Sequence, residues 1–286
     1  MIRLSTFENN SFEPFKTINQ DSYDGLKKDC EILKNSYTQF VVFKYLQLNL
    51  KDYLKFIEKT SKVPMTHIDP GMLTNINNVL EVNRLVLNFL TAFKFFLDNA
   101  ETYFKRKYGK ESGIIKDFIK LTNNSFDSSF AYRFLSKLRH YSVHLGFPIE
   151  VLNLNIDFNK EDPEKSLCDF QLIIDIELLK KEKDLFGAKI HNELNQMNSD
   201  INLKPLIAEL SHYIIEIQKY IYRIQKSEIS ESIENIDLFV GNHKTEKNQI
   251  KVYSDYKKNG NEISFNVYDV PYDIINEYKK TYENWH

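Results

Sequence analysis

The chain has 286 residues and a formal net charge of −2, with 27% charged and 42% hydrophobic residues but only 8 Gly and 7 Pro. That length and composition allow one large domain or two ordinary ones with a proper core, and they exclude collagen-like, low-complexity and disordered chains. The near-neutral balance excludes bulk electrostatic binding of nucleic acid, so any such contact must come from a local patch.

Residues 1–20 are polar with isolated Phe and read as loop or a short edge strand. From 21 to 61, Leu26, Cys30, Leu33, Tyr37, Phe40 and then Leu46, Leu50, Tyr53 and Ile57 recur at helical spacing. Val63-Pro64 and Asp69-Pro70-Gly71 punctuate the chain. The longest apolar stripe follows, running through Ile76, Val79, Asn83, Val86, Leu90, Phe93, Leu97, Ala100 and Phe104. It predicts a helix over 73–107, about 50 Å long, stopped at Gly109. Its basic last turn, Lys105, Arg106 and Lys107, suits a helix C-terminus and is also a candidate nucleic-acid contact. An amphipathic piece at 114–121 leads into the polar run Thr122-Asn123-Asn124-Ser125.

Residues 126–148 form the best-marked helix. Asp127 or Ser128 is the expected cap, Phe130, Phe134 and Leu138 follow at helical spacing, and Gly146 and Pro148 bar continuation. The pattern then changes to period two at 151–158 and 168–178, which predicts a β-hairpin over 151–178. A helix is expected at 206–225 with Pro205 in its first turn, and a short helix or loop at 229–236. Strands at 250–253 and 263–267 flank an Asn259-Gly260-Asn261 turn, and a last helix spans 272–282. The fold class is therefore mainly α. A helical bundle over 1–227 carries a β-hairpin insertion, and 228–286 forms a small α+β C-terminal region.

Nucleotide-binding glycine loops, HExxH and GxSxG are absent from the sequence. Cys30 and Cys168 have no zinc or CxxC spacing. No metal site and no cofactor is expected. Residues 1–10 lack the apolar core of a signal peptide, and no run of about 18 apolar residues occurs, which predicts a cytoplasmic protein without a membrane partner.

One segment stands apart: Arg139-His140-Tyr141-Ser142-Val143-His144, late in the 126–148 helix. His140 and His144 are i,i+4 and share a face, and Arg139 reaches them from the adjacent one. Arg133 and Lys137 extend the positive charge back along the helix. Read blandly, this is a helix end rich in cations. As a metal site, His140 and His144 would need further ligands that the segment lacks, beside an Arg that opposes a bound cation. As a phosphate site, the guanidinium grips the phosphate and an imidazole moves the proton, which suffices for attack of an RNA 2′-hydroxyl on its own phosphodiester.

The spacing R-x4–6-H with a polar residue after the Arg resembles the signature of HEPN domains, with Arg139, His140 and His144 at the matching positions. Arg133 to His140 also fits the spacing, with Phe134 in place of the polar residue. The resemblance covers 73–148 and includes the long upstream helix. It implies an all-α HEPN-like bundle and a metal-independent endoribonuclease whose Arg139, His144 and His140 line a cleft shared by a homodimer. It also implies a bacterial antiphage or toxin setting, with RNA as substrate and an antitoxin or nucleotidyltransferase as partner. The candidate nucleic-acid contacts are Arg133, Lys137, Lys105, Arg106 and Lys107. The alternative readings are a non-catalytic nucleotide- or partner-binding module and a purely structural helical scaffold.

Overall fold

A computed structural model describes residues 2–68, 76–149, 152–260 and 262–282. The chain is mainly helical with antiparallel sheet, and it divides into two compact units. One holds residues 1–40 and 221–286, the other 41–220. This differs from the expected division at 227, and strand pairing gives the reason. β1 (Ile2–Glu8) and β2 (Ser11–Ile18) form a hairpin, and β1 pairs antiparallel with β7 (Gln249–Asn259), which pairs with β8 (Glu262–Asp269). The first strands therefore belong with the tail. β1 is an inner strand of a sheet ordered β2-β1-β7-β8, not an edge or a loop.

Two long helices supply residues to both units. The first, α1, spans Gln20–Thr60, as its apolar spacing predicts. The other, α7, spans Leu203–Val240 without the interruption expected after 225. In the first unit the inner face of the sheet buries Leu4, Ile250 and Val252. α8 (Tyr272–Tyr282) returns against α1, where Tyr278 packs on Phe40 with ring centroids 5.3 Å apart.

The second unit holds α2 (Ile76–Tyr108), α3 (Gly113–Ser128), α4 (Phe130–Leu145) and a small sheet. The expected β-hairpin is present as β4 (Leu152–Asp157) and β5 (Leu167–Ile174). β5 stops before 178 because Asp175 caps the short helix α5 (Ile176–Lys180), accepting from the Glu177 N–H at 2.7 Å. The two-residue strands β3 (Val63–Pro64) and β6 (Ile201–Asn202) also pair with β5. α6 (Lys183–Asn195) has no counterpart in the sequence reading, since Gly187 breaks its periodicity at a φ of 77°.

Two further differences concern the helix that carries the motif. The polar run 122–125 does not end α3. Thr122 and Ser125 donate their hydroxyls to the Phe118 and Leu121 carbonyls, four residues back, and so remain within the helix. The cap of α4 is Ser129, whose Oγ accepts from the Tyr132 N–H at 3.0 Å, not Asp127 or Ser128. Among the described residues no helix is long and apolar enough to cross a membrane.

Candidate functional site

The motif is positioned by the buried face of α4. Ala131, Phe134, Leu135 and Leu138 are fully buried, and Phe134 stacks on Phe186 of α6 at 5.9 Å. A 3.6-residue repeat then turns Lys137, His140 and His144 to the opposite side. His140 and His144 are exposed and Lys137 is half-exposed.

The two imidazoles lie with ring centroids 4.4 Å apart at an interplanar angle of 70°. His140 is held below the ordinary histidine value, first by partial desolvation and then by the positive charge of His144, Lys137 and Arg139. Its neutral form, the one able to accept a proton, is thereby favoured. Arg139 is half-buried, and its Nε is enclosed with no hydrogen-bond partner among the described residues. No carboxylate among them pairs with this guanidinium. The structure thus brings together an unneutralised arginine and two neighbouring imidazoles at one end of α4.

The other expected contacts fare differently. Arg133 is a correction: it is 5% exposed and unavailable to nucleic acid. Its Nη1 donates to the Phe126 and Asp127 carbonyls at 2.7 Å, satisfying the C-terminal end of α3. Its Nη2 and Nε bind Glu193 of α6 at 2.5 and 3.3 Å. This residue ties three helices together, so the spacing match from Arg133 to His140 has no exposed guanidinium.

Lys105, Arg106 and Lys107 end α2, but they are remote from the motif. Asn83, early in α2, accepts from the Ile149 N–H at 3.2 Å and donates to its carbonyl at 2.6 Å, just beyond the C-terminus of α4. Phe93, ten residues later, packs against Tyr132 near the start of α4. The helices therefore run antiparallel, and the basic turn lies on the order of 30 Å from His144. Lys105 is paired with Glu101, Lys107 sits over the Tyr103 and Tyr108 rings, and Arg106 is exposed.

Asn83 is a positioning residue that the sequence reading took as part of the apolar stripe. Its signal was there: an amide within a run of aliphatic and aromatic residues. Neither cysteine offers a nucleophile. Both are buried, and burial pushes the Cys30 thiol up to about 12. Among the described residues no group of three His, Cys, Asp or Glu side chains is arranged to hold a metal ion. The chain matches no family model, no curated protein and no solved structure.

Proposed function

We propose that the protein is a metal-independent endoribonuclease of HEPN type, with Arg139, His144 and His140 as its catalytic residues. One observation carries the reading. Arg139 is without a carboxylate partner among the described residues and stands beside an exposed, mutually close imidazole pair, while Arg133 on the same helix is fully engaged. Arg139 would hold the scissile phosphate and offset the charge of the phosphorane-like transition state. One imidazole would take the proton of the 2′-hydroxyl, and the other would give a proton to the departing 5′-oxygen. The lowered pKa of His140 suits it to the first role and leaves His144 for the second. The products would be a 2′,3′-cyclic phosphate and a 5′-hydroxyl.

The reading includes a cytoplasmic homodimer with the motif helices facing each other. Val143, Leu145 and Phe147 beside the motif are each about half exposed, which supports burial against another chain. The same residues favour the second reading, a non-catalytic module that binds a nucleotide or a protein partner through this helix end. The bacterial defence setting, with an antitoxin or nucleotidyltransferase as partner, rests on the family resemblance alone.

The test is cleavage of single-stranded RNA in EDTA, with identification of the product ends. Arg139→Ala and His144→Ala are each expected to lower the rate by about 10²–10⁴ without unfolding the protein. His140→Asn is expected to retain more activity than His140→Ala. Cleavage that appears only with added divalent metal, or equal rates in both alanine variants and wild type, would overturn the assignment. A pure preparation without cleavage favours the binding module.

A further inference from the structure

The exposed imidazoles of His140 and His144 keep their ring nitrogens open. Among the described residues neither ring makes a hydrogen bond or an ion pair. His191 on α6 is the contrast. One of its ring nitrogens meets the Lys180 carbonyl at 2.8 Å, and the other meets the Asn195 amide at 3.1 Å. A neutral imidazole with a free lone pair is a ligand for a d-block ion. Two such rings one helical turn apart can reach the same ion.

Distance supports a shared ion. The two ring centroids lie 4.4 Å apart. Zn–N bonds of about 2.0–2.1 Å, meeting near a right angle or slightly wider, set such centroids roughly 4.5–5 Å apart. Little more than ring rotation separates the pair from a chelate. Charge and ligand number then define the ion. Lys137 and Arg139 repel any cation, so coordination and not charge must hold it. Mg²⁺ and Ca²⁺ take oxygen ligands and gain nothing here, whereas Zn²⁺ and Cu²⁺ accept imidazole. No third His, Cys, Asp or Glu joins the pair among the described residues, and none of their side chains fixes the far N–H of either ring. Two ligands without that support are too few for a resident metal and suit an exchangeable one.

We propose that His140 and His144 form an exchangeable binding site for a divalent d-block ion, Zn²⁺ or Cu²⁺, with water completing the coordination, and that the bound ion silences the α4 site. The ion site rests on the geometry of the pair. The silencing rests on the ribonuclease reading, in which one imidazole takes a proton and the other gives one. A ring nitrogen bonded to an ion does neither, so occupancy removes the general base and the general acid together.

The first test is calorimetric titration of the full chain with ZnCl₂ in the absence of RNA. Wild type is expected to take up about one ion per chain, and MgCl₂ is expected to give no binding. His140→Ala and His144→Ala each leave a single imidazole and are expected to weaken Zn²⁺ binding at least tenfold with unchanged melting curves. His212→Ala, which removes a lone exposed histidine on α7, is expected to bind as wild type does. The second test adds saturating Zn²⁺ to the RNA cleavage assay, where the wild-type rate is expected to fall at least tenfold and to return with EDTA. The ion site is overturned if wild type does not bind Zn²⁺ or if both alanine variants bind it equally well. Binding with undiminished cleavage overturns the silencing. A chain that binds Zn²⁺ through this pair but never cleaves RNA in EDTA upholds the ion site and overturns the ribonuclease reading, and the silencing with it.

Discussion

At the scale of single residues, α4 carries two arginines with opposite roles, and burial separates them. Arg133→Ala removes a cation from between two carbonyls and Glu193, leaving buried groups unpaired. We expect a loss of about 3 kcal/mol in urea unfolding, against less than about 1 kcal/mol for Arg139→Ala. Comparable losses for both would contradict the division of roles. His140 offers a second measurement. Partial desolvation and the charges of His144, Lys137 and Arg139 disfavour its protonated form, so its NMR titration midpoint should fall below the ordinary value of about 6.5. Lys137→Glu replaces one of those charges by its opposite and should raise the midpoint. If His140 is the general base, the acid limb of the cleavage profile should move up in pH with it. Sequence spacing alone identified Arg139, His140 and His144 as candidates. It did not distinguish Arg133, because only the arrival of α6 and the end of α3 decides which arginine is enclosed.

At the scale of elements, the start of α4 depends on one hydroxyl. Ser129 caps the helix and also donates to Glu209 of α7 at 2.5 Å. Ser129→Ala should cost about 1 kcal/mol. The far end depends on the Asn83 amide, which holds both backbone groups of Ile149. Asn83→Leu should therefore speed hydrogen exchange around 144–149, where His144 and Phe147 lie, more than in the middle of α2. Uniform exchange along α2 and α4 would remove Asn83 as the anchor. The apolar stripes made α1, α2 and the body of α4 legible in sequence. The run 122–125 misled because Thr, Asn and Ser favour turns in isolation, whereas in α3 the Thr122 and Ser125 hydroxyls bond back to carbonyls of the same helix. The continuity of α7 was hidden by the polar stretch after 225, which interrupts its apolar spacing.

At the scale of the molecule, the division of the chain was not legible, because pairing between β1 and β7 leaves no local trace in either segment. Both strands looked weak alone, and each gains its inner position only from the other. Deleting residues 2–18 should leave β7 as an unpaired edge and uncover Ile250 and Val252. We expect the melting transition of the first unit to be lost or lowered, while far-UV helical signal from the second persists. A single unchanged transition would show that the hairpin contributes little to the fold.

The β1–β7 pairing also sets an order of events during synthesis. The 41–220 unit is continuous in sequence and emerges as one block, whereas β1 leaves the ribosome nearly 250 residues before β7 is made. At about 5–20 residues per second, the first hairpin waits roughly 10–50 s for its neighbour. During that interval its apolar positions, Leu4 among them, have no sheet to enter. A chain halted after residues 41–220 have emerged but before 249–259 have done so therefore displays a completed middle unit while the β1–β2 hairpin still lacks its β7 neighbour, and holding chaperones have one short segment to guard.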